Sequence, residues 1–145
     1  MGLCKHKKVK TNMEELTHDA KIAVLRILND IVNADNIVRD VEVEYMNEIA
    51  RSFELADNYM DEVNNLVTLQ ALSIVRALSV DLKEKIAQMM GKMIVIDEDI
   101  NYNEVKLYNA VCESCNIERD FNVEDYPDFT FSGPFVNHED LINTI

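Results

Sequence analysis

The chain has 145 residues, 48% of them hydrophobic, which suits one domain with a substantial core. Its formal net charge is −13, and a surface that acidic repels phosphate backbones, so no nucleic-acid partner is expected. Gly (3) and Pro (2) are scarce and both prolines lie beyond residue 120, so nothing breaks helices through most of the chain and an all-α body follows.

Residues 1–12, with Lys5, Lys7, Lys8 and Lys10 in MGLCKHKKVK, read as a basic flexible arm, contact with an anionic surface being the alternative. No apolar stretch follows it, which argues against a secretory signal. His6 stands where a myristoylation start wants Ser or Thr. No apolar run approaches the ~20 residues of a membrane span. These features predict a cytoplasmic protein without a transmembrane segment.

From Met13 to Ala34, Leu16, Ala20, Ala23, Val24, Ile27, Leu28 and Ile31 recur at spacings of three and four, one apolar helix face with Thr11 or Asn12 as its cap. A second helix is predicted over 41–53, with Tyr45, Met46, Ile49 and Phe53 inward. DNYMDEVNNL reads as a short helix entered at Asp57. VTLQALSIVRAL, residues 67–78, is apolar nearly all round and is expected in the middle of the domain. Two more helices are predicted, over 82–96 after Ser79 or Asp81 and over 102–115.

Residues 118–145 differ in character. They hold Phe121, Phe129, Phe131, Phe135, both prolines and Gly133, and DFTFSGPF alternates apolar and polar as an extended segment does. So many aromatics predict a tail that lies on the helices; a recognition strand for another chain is the alternative.

Residues 27–55 laid over 89–117, an offset of 62, match without a gap. Asp35 meets Asp97, Glu42 meets Glu104, Val38 meets Ile100, Val43 meets Val105, Ile49 meets Val111 and Leu55 meets Ile117. The same helix–turn–helix unit therefore occurs twice. The second turn, DEDINYNE, starts like a calcium-binding EF-hand loop, which wants Gly at its sixth position and Glu at its twelfth. Those positions hold Tyr102 and Tyr108, and in the first copy Ile37 and Arg39 fill ligand positions, so an EF-hand is rejected. The repeat fits helix starts instead. Asn101 caps with Glu104 as the box acid and Ile100 and Val105 as a hydrophobic staple. In the first copy Glu42, Val38 and Val43 play those parts. Arg39 cannot accept a hydrogen bond, so Asp40 is the expected cap there.

The two turns, ADNIVRDVEVEYMNEIARSFEL and IDEDINYNEVKLYNAVCESCNI, follow a D-G-x-I-x-x-x-E pattern between helices and resemble the tellurite-resistance TerB-like family over residues 13–117. The resemblance implies a compact bundle of about six or seven helices in two pseudo-symmetric helix-turn-helix halves. It also implies an acidic surface associated with divalent cations and a role as a protein-binding module in stress-response assemblies. Asp35, Glu42, Asp97 and Glu104 match its acidic motif, whereas Asn36 and Glu98 replace its glycine. Glu tolerates the left-handed conformation poorly, so the second turn is expected to be reshaped.

Carboxylates without Cys or His favour Ca²⁺, Mg²⁺ or Mn²⁺. An ion would sit chiefly at the second turn, which carries more acid, with Glu98, Asp99 and Asp40 adding outer charge. The competing reading is that the four acids only cap their turns and helices, leaving a metal-free domain that recognises proteins through its acidic surface and aromatic tail. Cys112 and Cys115 spell C-x-x-C late in a helix and read as buried structural thiols; a zinc site that adds Cys4 and His6 is the remote alternative. No Ser/His/Asp arrangement, phosphate-cradling glycine loop or paired histidine is visible, so catalysis is not expected.

Overall fold

A computed structural model describes residues 16–133. The basic arm, Thr11, Asn12, Phe135 and His138 lie outside the described residues. Helix α1 runs His18–Val32, later than the predicted start at Met13, because the Thr17 hydroxyl accepts from the Ala20 N–H at 3.1 Å and ends the preceding extended backbone. Ile22, Ala23, Val24 and Leu25 are buried in succession, as are Ile27 and Leu28. A helix buried on all faces belongs at the centre, and α1 contacts each of the five other helices.

The remaining helices are α2 (Asp40–Ser52), α3 (Tyr59–Asn65), α4 (Thr68–Arg76), α5 (Val80–Val95) and α6 (Tyr102–Cys115). The sequence assigns the central place to 67–78, and the structure corrects this. Helix α4 buries only Ala71 and Val75, and Leu69 is 79% exposed. Its nine residues lay one narrow face on α1, too short an element to be enclosed. Ser79 starts α5 by accepting from Leu82 N–H at 3.2 Å, and Asn101 starts α6 as expected. Met90 and Met93 are core filler, and both C-x-x-C thiols are buried and free.

The 62-residue repeat holds at the level of single hydrogen bonds. Asn36 N–H reaches Asn33 O at 3.1 Å and Glu98 N–H reaches Val95 O at 2.9 Å. Both Asn36 and Glu98 are left-handed, with φ 62° and 64°. The second turn is therefore not reshaped at that position; Glu98 takes the glycine conformation at a backbone cost of roughly 1 kcal/mol. The far ends of the second helices match too. Glu54 and Asn116 have φ 62° and 58°, and Leu55 N–H to Ala50 O parallels Ile117 N–H to Cys112 O. The chain is an all-α bundle with two pseudo-symmetric halves, α1–α2 and α5–α6.

One addition breaks the symmetry. Residues Asp99–Asn101 form a strand, β1, paired in parallel with β2 (Thr130–Ser132), which the alternation of DFTFSGPF foreshadows. Between α6 and β2 the chain packs on the bundle. The Tyr108 hydroxyl accepts from the N–H groups of Asp120 and Phe121, and Tyr108, Phe121, Tyr126 and Phe129 form a run of ring contacts. Ile100 and Val105 are buried beneath these elements, but their counterparts Val38 and Val43 are exposed. The predicted first-copy staple thus buries little, because among the described residues no strand covers that turn.

Candidate functional site

Each acidic turn begins with the same device. Asp35 Oδ1 accepts from the Ile37 N–H at 3.0 Å and Asp97 Oδ1 from the Asp99 N–H at 3.1 Å. These Asx turns follow from an Asp two residues ahead of an exposed backbone N–H. At the helix starts, Glu42 Oε1 accepts from the Arg39 N–H at 3.0 Å, and Asn101 Oδ1 accepts from Asn103 and Glu104 N–H groups at 2.8 and 3.3 Å. Arg39 occupies the N-cap position of α2 and Asp40 is already helical, so the expected cap by Asp40 is not made. The capping reading accounts for one oxygen of Asp35, Glu42 and Asp97.

The second oxygens are used differently. Arg39 Nη1 lies 3.3 Å from Asp35 Oδ2 and 3.1 Å from Asp97 Oδ2, joining the two turns through one guanidinium. Glu42 and Glu104 are 0% and 1% exposed, and Oε2 of each is buried without a hydrogen-bond partner. Glu104 feels the charges of Glu42, Asp35 and Asp97, and Glu42 those of Asp35 and Asp97, so the four predicted acids share one neighbourhood between the two turns, instead of a site centred on the second. Around it, Asp99 accepts from the hydroxyls of Thr130 and Ser132 at 2.6 and 2.5 Å, while Glu98 and Asp40 are exposed. The outer charge expected from these three is spent on holding β2 or faces water.

Crowding of acids in a buried place sets the electrostatics. Burial, then the charges of Glu42, Asp35 and Asp97, push the Glu104 carboxyl up to about 9. Burial also raises Glu42 against the hydrogen bond from Arg39, with Asp97 and Asp35 adding to the rise, and burial raises Asp97 against its bond from Asp99. For Arg39, burial opposes the charge, but the Asp35 hydrogen bond and the charges of Asp97, Asp35 and Glu42 outweigh it and raise its pKa. Four carboxyl groups face one fixed positive charge, and Glu104 keeps a proton at neutral pH.

Buried carboxylate oxygens without a hydrogen-bond partner are the kind of donor that hard cations take, and Oε2 of Glu42 and of Glu104 are two such atoms. Yet among the described residues no group of three or more His, Cys, Asp or Glu side chains is arranged to hold a metal ion as it stands. Arg39 is the residue the sequence reading missed. It registers there as a defective cap and as a misfit at a ligand position of an EF-hand loop, and nothing in its spacing tells that its side chain reaches the other half. The thiols play no part, since burial pushes Cys112 up to about 11 and also raises Cys115. His18 is exposed beside Glu62 at 2.7 Å.

No family model matches the chain, and no curated protein matches it. Among solved structures, it is similar to a crystal structure of a protein of unknown function from Porphyromonas gingivalis W83. The TM-score is 0.63 at 20% sequence identity, covering 73% of this chain and 83% of that one. At that identity the likeness bears on the fold alone, and the fold it shares is this helical bundle.

Proposed function

We propose that the chain is a non-enzymatic, cytoplasmic binding module of the TerB-like kind, with a weak divalent-cation site formed by Asp35, Glu42, Asp97 and Glu104. The observation that carries this reading is the pair of buried, partnerless Oε2 atoms of Glu42 and Glu104 beside the Asp35 and Asp97 oxygens that meet Arg39. Buried oxygens left unpaired cost free energy that an ion would recover. Ca²⁺, Mg²⁺ and Mn²⁺ are the ions these ligands suit. An entering ion would displace the proton on Glu104, so its binding would strengthen as pH rises.

Thermal unfolding with and without millimolar Ca²⁺, Mg²⁺ or Mn²⁺ tests it. At ten times Kd, binding stabilises by about 1.4 kcal/mol, a rise of roughly 3–6 °C for a chain of this size. The rise should vanish in Asp97→Asn and Glu104→Gln, each compared with itself without ion. No response of the native chain at millimolar ion removes the cation reading.

A second reading, a metal-free protein-interaction domain, draws on a different observation. Ile37 and Val38 are 53% and 51% exposed, and Val41 and Val43 beside them are exposed as well. The aromatics up to Phe131 pack on the bundle, so this patch is a better recognition surface than the tail. Pull-down with Val38→Ser/Val41→Ser in place of the native chain separates the readings. Loss of a partner in that variant, with no ion response in the native chain, favours this reading; an ion response with the partner retained favours the first.

A further inference from the structure

We infer that Arg39 is a resident occupant of the acidic centre, a guanidinium standing where a divalent cation would sit, which must swing out before the ion can bind. The inference rests on the cation reading of the same four carboxylates and adds what limits it.

Position 39 is where the two halves of the repeat part company. Its counterpart, 62 residues on, is Asn101, whose Oδ1 caps α6 and whose amide donates to Ser132 Oγ at 3.1 Å. The turn itself therefore asks for a capping side chain. Arg39 gives none: its side chain cannot accept from the α2 N–H groups, and only the return bond from its own N–H to Glu42 Oε1 is made, so the N-cap contribution of about 1 kcal/mol is forgone. What the arginine gains is its contact with Asp35 and Asp97 at 3.3 and 3.1 Å, which sets its charge between the two turns.

That occupancy is incomplete in a way an ion's would not be. A guanidinium is planar and carries one charge. It meets the aspartates and leaves Oε2 of both glutamates unpaired. A way out exists. The Arg39 side chain is 34% exposed, against 4% and 9% for those of Asp35 and Asp97, so it can leave while the ligands stay.

Calorimetric titration of Ca²⁺ and of Mn²⁺ into the native chain, Arg39→Asn, Arg39→Lys and Arg39→Asn/Glu104→Gln tests this. Asn is chosen because it restores the cap used by the other half; Lys keeps the charge but carries it on a compact, more strongly hydrated ammonium in place of the planar guanidinium. Arg39→Asn should bind at least roughly ten-fold more tightly than the native chain, because a like charge has left the site. Arg39→Lys should fall between them, and Glu104→Gln should abolish the gain. Binding by Arg39→Asn but not by the native chain supports this inference while removing the cation reading of the native protein. Equal affinity in both leaves that reading standing and overturns this one. No binding by either overturns both. Should Arg39→Asn unfold in chelator, recovery of its far-UV circular dichroism on adding Mn²⁺ supports the inference. Failure to recover, with Arg39→Lys folded and no tighter than the native chain, overturns it.

Discussion

Glu104→Gln isolates the electrostatic cost of the acidic centre. The Glu104 carboxyl is pushed up to about 9 in the fold, by burial first and by Glu42, Asp35 and Asp97 after it, from an ordinary value of 4.5. Between those values the folded chain keeps a proton that the unfolded chain releases. Stability from this group is therefore whole below the unfolded value and is lost as pH rises toward the folded one. The loss is about 1.4 kcal/mol per pH unit, so near pH 7 it has reached about 3 kcal/mol. Gln is neutral in both states and escapes the loss. A buried amide left partly unpaired costs about 1 kcal/mol, an offset that does not change with pH. Urea unfolding of both chains, at steps from about pH 5 to about pH 8, should show the variant gaining on the native chain at each step. Two stability curves that run parallel across that range would refute the reasoning, whatever their separation.

Tyr108→Phe removes the hydroxyl that accepts from the Asp120 and Phe121 N–H groups at 3.0 and 3.2 Å. Leaving two donors unpaired should cost roughly 2 kcal/mol or more, and hydrogen exchange should lose protection at those two amides first. Glu98→Gly should stabilise by roughly 1 kcal/mol and Asn36→Gly by much less. Both positions have positive φ, 64° and 62°, but Asn already tolerates that conformation; chemical denaturation measures both, and equal effects would contradict the argument.

The repeat was legible because it was written in side chains with local jobs. Asp, the left-handed position and Glu recur at a fixed offset of 62, and both Asp residues and Glu42 satisfy backbone groups within their own turns, whereas the predicted box acid Glu104 accepts no such bond. The convergence of the two turns was less legible, since it depends on how α1–α2 packs against α5–α6. Arg39 shows the limit most plainly: locally it is a poor cap, and only tertiary packing brings Asp97 within 3.1 Å of it. The misplacement of 67–78 has a different origin. Apolar content on every face marks a buried helix when the helix is long, but α4 has nine residues, and α1 with fifteen takes the centre. The strand β1 went unseen because three residues pair only through β2, some thirty residues on. The exposure of Val38 and Val43 has the same cause, a covering strand in one half that the other lacks among the described residues.

Crystals grown with excess Mn²⁺ and measured for anomalous scattering give the most direct test that the two turns form one cation-responsive centre. A single peak ligated by Asp35, Glu42, Asp97 and Glu104, with the Arg39 side chain turned to solvent, is the predicted result. Density without a peak there at saturating Mn²⁺, with the guanidinium still joining Asp35 to Asp97, would contradict it.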